Sequence, residues 1–180
     1  NKKTILVVGG SQGARSINQA VVNGLQQFAN AGVQLLWQTG KNFSPIAAQG
    51  LEKVNTPGLK AFDFITQMDL AYALADMVIS RAGASTVSEL CIVGKPAIMV
   101  PLPTAAEDHQ TKNIQSLVSK HAAIMIKDTD AREKLVSAAI ALINNDAELQ
   151  QLKTNMLKLA LPNSAEVIGK EVIQLAGFKV

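Results

Sequence analysis

The sequence predicts an α/β domain, a parallel sheet covered by helices on both faces. Three observations carry that reading. Up to Lys127, short β-branched runs alternate with amphipathic stretches of helical period. The strand-like runs are apolar throughout instead of alternating, as strands buried on both faces must be. Finally, 180 residues with 48% apolar and 17% charged side chains suit one globular domain and exclude a disordered chain.

Thr4–Val8 is a continuous β-branched run ending at Gly9-Gly10, the first predicted strand. Ala14–Phe28 follows as a helix, with Ile17, Val21, Val22, Leu25 and Phe28 on one stripe. Val33–Trp37 reads as a strand, Asn42–Leu51 as a helix ending near Gly50, and Leu59–Phe64 as a strand after the Pro57-Gly58 turn. Met68–Ala75 is a short helix. Met77–Ser80 and Ala97–Val100 are strands flanking a helix over Thr86–Val93, which stops at Gly94-Lys95-Pro96. Glu107–Lys120 is helical and Ala123–Ile126 is a last short strand. Beyond it the pattern is purely helical: Asp130–Ile143, begun by a capping-type Asp130 and Glu133, then Ala147–Leu161, then Ser164–Ala176 between Pro162 and Gly177.

Lys and Arg number 17 against 14 Asp and Glu, a net charge of +3. With no basic run longer than Lys2–Lys3, a nucleic-acid partner is not expected. The one cysteine, Cys91, excludes an internal disulfide framework and, inside an apolar helix, reads as a buried structural thiol. Apolar stretches are broken well before the ~20 residues a membrane span needs. The chain opens Asn1-Lys2-Lys3-Thr4 without a leader pattern and without Met, so we expect a soluble, cytosolic domain cut from something longer.

In a parallel sheet of this kind ligands sit at the carboxyl ends of the strands, and three loops there carry chemistry. Gly9-Gly10-Ser11-Gln12-Gly13-Ala14 enters the first helix, where glycines let backbone N–H groups approach an anion. A tight turn with Ser11 as a cap explains it equally well. Ser80-Arg81-Ala82-Gly83-Ala84-Ser85-Thr86-Val87-Ser88-Glu89 offers N–H groups and hydroxyls at another helix start. Glu89 there could accept hydrogen bonds from a ribose diol, although Thr86-x-x-Glu89 also spells a capping box, the better reading of the spacing alone. Pro101–Asn113 places His109, Gln110 and Asn113 on the same rim, with Gln110 and Asn113 on one helical face. His121 reads as a surface residue at a helix end, and no metal cluster is expected. Nothing pairs Asp63 with Asp69 as acid and base, and no convincing catalytic base is found.

Together the segments Val7-Val8-Gly9-Gly10-Ser11-Gln12-Gly13-Ala14-Arg15, Ala75-Asp76, Ser80-Arg81-Ala82-Gly83-Ala84 with Thr86-Val87-Ser88-Glu89, Gly94-Lys95-Pro96-Ala97 and Val100-Pro101 closely resemble one bacterial family. It is that of the MurG-type UDP-N-acetylglucosamine:N-acetylmuramyl-(pentapeptide) pyrophosphoryl-undecaprenol N-acetylglucosamine transferases. The resemblance spans essentially the whole chain and covers only the carboxy-terminal half of such an enzyme. It implies a Rossmann-like sheet forming one half of a GT-B glycosyltransferase, with residues 1–180 as the nucleotide-sugar (donor) domain, closing helices over 130–177, and the amino-terminal acceptor domain absent.

By that resemblance the half binds UDP-N-acetylglucosamine, whose N-acetylglucosamine passes to lipid I to give lipid II in peptidoglycan synthesis. Ser11 and Gln12 would face the donor phosphates, Ala84, Ser85 and Thr86 would cradle the diphosphate, and Glu89 would take the ribose hydroxyls. Backbone groups of Ile65 would read the uracil edge and Gln110 would contact the sugar. Gly13, Gly83, Val87, Ser88, His109 and Asn113 complete the substrate-binding positions it implies. Members often carry two glutamines where this chain has His109-Gln110, and Leu where it has Ser85. No cofactor and no metal are implied. Catalytic groups, the lipid I contact and the peripheral attachment to the cytoplasmic face of the inner membrane are expected from the absent half.

Two other readings stay open on the residues: a different nucleotide-sugar enzyme of the same architecture, such as an epimerase, and a non-catalytic nucleotide-binding module. A dinucleotide oxidoreductase is disfavoured because the Gly-x-Gly-x-x-Gly spacing is absent. Because the closing helix of a GT-B enzyme can cross to the other half, Val167, Ile168, Val172 and Ile173 are expected to be poorly covered, with fraying or self-association of the isolated domain as the consequence.

Overall fold

A computed structural model describes residues 2–10, 14–105 and 109–178. Six parallel strands form one sheet: β1 (Thr4–Val8), β2 (Gln34–Gln38), β3 (Leu59–Phe62), β4 (Met77–Ser80), β5 (Ala97–Met99) and β6 (Ile124–Met125), in the order β3-β2-β1-β4-β5-β6. The chain builds outward from β1 to β3, returns to β4 beside β1, and builds outward the other way. The predicted α/β class and its Rossmann-like order are therefore observed. β3 stops two residues before the predicted Phe64, because Ile65 turns its N–H onto the Gln38 side chain (2.8 Å) and Phe64 is left exposed.

Alternate side chains of the strands feed two cores, as a pleated sheet requires. On one face Ile5, Val7, Leu35, Trp37, Ile79 and Ile98 pack against α1 (Arg15–Asn23), α2 (Leu25–Asn30), α3 (Ser44–Val54) and α7 (Ala131–Ile143). On the other, Leu6, Val8, Val78 and Met99 meet α4 (Met68–Leu74), α5 (Ala84–Val93), α6 (His109–Val118) and α8 (Asp146–Leu157). Cys91 is buried there as expected, its sulfur 3.6 Å from that of Met156, and burial pushes its thiol up.

Several helices differ from their sequence pattern, each for a local reason. The predicted helix Ala14–Phe28 is two helices meeting at Gly24, whose backbone (φ −99°, ψ 3°) leaves the helical region. An added Cβ there would sit 2.5 Å from Val136 Cγ2, so the close approach of α7 requires glycine. The capping box at Thr86 does not form: α5 begins two residues earlier, with Gly83 at its N-cap and no side-chain cap. Asp130 does not cap α7 either, its carboxylate taking Lys134 (2.8 Å) and Thr129 (3.1 Å) instead. α8 is instead capped by Asn145, which accepts from the Glu148 N–H, and ends at Leu157 where the pattern ran on to Leu161.

Gly94 closes α5 in the left-handed region (φ 60°, ψ 39°), and a Cβ on it would meet Leu157 Cγ and Cδ2 at 2.6 Å. Gly94→Ala is expected to lose about 1–3 kcal/mol from left-handed strain and the displaced Leu157. Urea unfolding measures it, and an unchanged midpoint would contradict the account. α9 (Ser164–Leu175) buries none of its residues, and Val167, Ile168, Val172 and Ile173 are 56, 62, 60 and 44% exposed. His121, in the turn after α6, is exposed with φ 49°, and its carbonyl accepts from Asn155 Nδ2 (3.0 Å).

Candidate functional site

The sheet order reverses between β1 and β4, which lie side by side with their connections leaving in opposite directions. Loops above such a point splay apart and leave a crevice. Here the crevice is a cavity of about 540 Å³, a size that suits a nucleotide. Val8, Gly9 and Gly10 with Ala14 and Arg15 form one wall, and Arg81, Gly83, Thr86 and Glu89 form the facing one. Gln38, Phe64, Ile65, Met68 and Tyr72 close one end, Leu102 and Gln110 the other.

Two helices start at this cavity. The first N–H groups of α1 and α5 have no intrahelical acceptor, neither N-cap supplies a side chain, and neither first turn holds an acid. Both positive ends therefore face the cavity with no acid of their own in the first turn, the arrangement that favours a bound anion. Ala84 and Ser85, at the tip of α5, are exposed.

Glu89 lies one turn into α5, where its Oε2 accepts a hydrogen bond from the Tyr72 hydroxyl at 3.0 Å. Burial first, then the Glu89 charge and hydrogen bond, push the Tyr72 phenol well above its ordinary value, so it remains a donor throughout the neutral range. Gln38 works in two directions: Oε1 accepts from the Ile65 N–H, and Nε2 donates to the Gly10 carbonyl (3.0 Å). It thereby ties the turn after β1 to the turn after β3. Gln110 is anchored through Oε1, which accepts from the N–H groups of Leu102 (3.0 Å) and Ala82 (3.3 Å).

Arg81 is the structural knot of the site. Nη1 donates to the carbonyls of Val100 and Pro101 (both 3.2 Å) and pairs with Asp128 Oδ1 (2.5 Å), while Nη2 donates to Ser16 Oγ (3.0 Å). Ser16 in turn donates to Asp128 (2.5 Å). One guanidinium thus joins β4, the turn after β5, the first turn of α1 and the 3-10 turn at Asp128–Asp130. Since Asp128 neutralises Arg81, Arg15 is the cation of the wall without an ion pair among the described residues.

Of the residues singled out in the sequence, Ile65, Gly83, Thr86, Glu89 and Gln110 line the cavity. Val87 and Ser88 turn instead to a groove shared with Cys91 and Ile92, and Ser88 Oγ bonds back to the Ala84 carbonyl (3.0 Å). Asn113 stands behind the wall with Nδ2 near the Ala82 carbonyl (3.4 Å), and exposed His109 opens α6. Ser11, Gln12 and Gly13 lie outside the described residues. Gln38, Tyr72 and the Ser16–Arg81–Asp128 cluster were not anticipated. A polar residue such as Gln38 closing an apolar strand run was the one available signal. Among the described residues no group of three or more His, Cys, Asp or Glu could hold a metal, and no helix is long and apolar enough to cross a membrane.

Comparison with known proteins identifies the fold and the family. The Acinetobacter baumannii MurG crystal structure superposes with a TM-score of 0.85 at 28% identity, over 97% of this chain and 52% of that one. The S. aureus MnaA–UDP co-structure (TM-score 0.74, 12% identity, 99% of this chain and 47% of that one) shares the fold. A curated protein of Bacteroides fragilis named UDP-N-acetylglucosamine--N-acetylmuramyl-(pentapeptide) pyrophosphoryl-undecaprenol N-acetylglucosamine transferase is 50% identical over 177 residues, 97% of this chain and 47% of its own. Its namesake in Porphyromonas gingivalis is 49% identical over 173 residues, 95% of this chain and 45% of its own. The chain thus spans about half the length of the curated relatives it matches. The family model for the glycosyltransferase family 28 C-terminal domain matches residues 4–168, and the chain belongs to that family.

Proposed function

We propose that this chain is the donor-binding half of a bacterial GT-B enzyme that transfers N-acetylglucosamine from UDP-N-acetylglucosamine to lipid I, forming lipid II. The observation that carries the reading is the convergence, in one cavity at the β1/β4 reversal, of the Glu89 carboxylate and two helix N-termini whose own first turns hold no acid. A nucleoside diphosphate sugar presents the matching groups: a dianionic bridge for the helix ends and a ribose diol for Glu89. The Ile65 N–H is committed to Gln38, so the carbonyl of Ile65 is the group assigned to the uracil edge. Gln110, held by its oxygen, offers its amide N–H donors to the sugar hydroxyls. Ser11, Gln12 and Gly13 are assigned to the phosphates, with Arg15 beside them.

Transfer breaks the bond between the sugar C1 and the diphosphate oxygen while the acceptor hydroxyl oxygen bonds to C1 from the opposite face, inverting it. The leaving diphosphate gains negative charge, which the preorganised N–H groups and dipoles of α1 and α5 stabilise. The acceptor's proton goes to a base on the half that this chain does not contain. That half also supplies the lipid I contact and peripheral attachment to the cytoplasmic face of the membrane. On this reading the chain binds donor but does not turn over alone.

Calorimetric titration with UDP-N-acetylglucosamine, UDP-N-acetylgalactosamine and NADH tests the assignment. The first ligand is expected to bind best, and Glu89→Ala to weaken it by about 1–3 kcal/mol through loss of a charged acceptor. A chain that prefers NADH, or whose affinity ignores Glu89, would refute the assignment. Indifference to the galactosamine epimer would remove the sugar-reading role of Gln110.

A further inference from the structure

We propose that Tyr72 is a positioning residue for ligand recognition, holding the Glu89 carboxylate in the orientation that receives a ribose diol. The proposal rests on the reading of Glu89 given above and adds a residue that acts through it.

The two side chains come from different elements, α4 and α5, and both line the cavity. Tyr72 is 6% exposed, whereas Glu89 is exposed. A glutamate standing free at a surface samples many rotamers, and a ligand that needs one of them must order the rest. The phenol removes that requirement beforehand: fixed by its buried ring, it donates to Oε2 at 3.0 Å. An ionised carboxylate has about four acceptor sites, so one tether leaves enough for both hydroxyls of a cis diol. The tether also couples two parts of the site. Ile65, Met68 and Tyr72 lie on one short segment, so the loop assigned to the base and the carboxylate assigned to the ribose are set in register by a single hydrogen bond.

The test compares UDP with 2′,3′-dideoxy-UDP by calorimetry on the chain, on Tyr72→Phe, on Glu89→Ala and on the double variant, with thermal melting as the control for folding. The chain is expected to prefer UDP. Tyr72→Phe is expected to weaken UDP about 5- to 30-fold and leave the dideoxy ligand unchanged. In the Glu89→Ala background the same change is expected to do nothing. Equal losses for both ligands, or no loss for either, overturn the positioning role. A chain that does not bind UDP, or does not distinguish it from the dideoxy ligand, overturns the Glu89 reading beneath it.

Tyr72 is the one tyrosine of the chain, so 3-fluorotyrosine labelling puts the ¹⁹F probe at this site alone and keeps the hydroxyl that donates to Glu89. UDP is expected to shift the probe's resonance more than the dideoxy ligand does. Equal shifts count against the proposal even if Tyr72→Phe fails to fold.

Discussion

Replacing Trp37 with alanine is expected to lower stability by about 3–5 kcal/mol, the range for deleting a buried large aromatic ring. At this chain length the loss corresponds to a fall in melting temperature of about 6–20 °C. Trp37 is fully buried on β2 between Val7 and Ala61, and its ring meets Phe43 at 6.0 Å between centroids. Its removal opens a void in the core under α1 and α3. It also strands a polar group, because the indole N–H donates to Asn18 Oδ1 (2.9 Å) while Asn18 Nδ2 holds the Thr39 carbonyl (2.7 Å). Trp37→Phe keeps an aromatic ring but leaves a smaller void and Asn18 Oδ1 without its donor, so it should cost less than alanine, about 1–3 kcal/mol. Urea unfolding followed by circular dichroism separates the two, since fluorescence loses its probe with the residue. An alanine variant within about 1.5 kcal/mol of the parent would contradict the packing described. The neighbouring Gln38 carries the effect to the site, because a loosened β2 moves the side chain that ties Gly10 to Ile65.

What the sequence disclosed and what it hid divide along the range of the interactions. Strands announce themselves locally: five or fewer apolar residues bounded by Gly, Pro or a polar turn, as at Thr4–Val8 before Gly9-Gly10. Helix interiors do the same through their stripes. The loops that form the cavity were legible because each follows a strand, and fold topology places them on one rim. The break at Gly24 was not legible, because Val21, Val22, Leu25 and Phe28 keep their period across it and the reason lies in Val136, over a hundred residues away. The capping box at Thr86 misled for a related reason: the spacing is right, but Gly83 starts the helix early and the cavity claims Glu89. The same distance effect hid Tyr72, Gln38 and Asp128, whose partners lie 17, 27 and 47 residues off. Each side chain is unremarkable until the sheet order places its partner beside it.

Arg81→Ala is expected to cost about 2–4 kcal/mol, since removing one member of a largely buried pair leaves the other charge uncompensated. The Arg81 and Asp128 side chains retain 15 and 22% of their exposure, so the effect falls short of that for a fully buried pair. The loss has two further parts. The carbonyls of Val100 and Pro101 lose their donor, and Ser16 loses the contact that holds the start of α1 against β4. Arg81→Lys should recover little, because one ammonium cannot reproduce a planar fork directed at two carbonyls, a carboxylate and a hydroxyl. A different pair of substitutions discriminates between charge balance and packing. With both Arg81→Met and Asp128→Leu, no charge is left alone, and the double variant should be more stable than Arg81→Ala. It should nevertheless bind UDP more weakly than the parent, because the cluster aligns the helix ends that face the cavity. Denaturant midpoints and calorimetric titration on the same three proteins measure both properties. If the double variant is less stable than Arg81→Ala, the cluster contributes chiefly through its hydrogen bonds to the backbone and not through charge neutralisation. If it binds UDP as the parent does, the cluster holds the fold together without aligning the site.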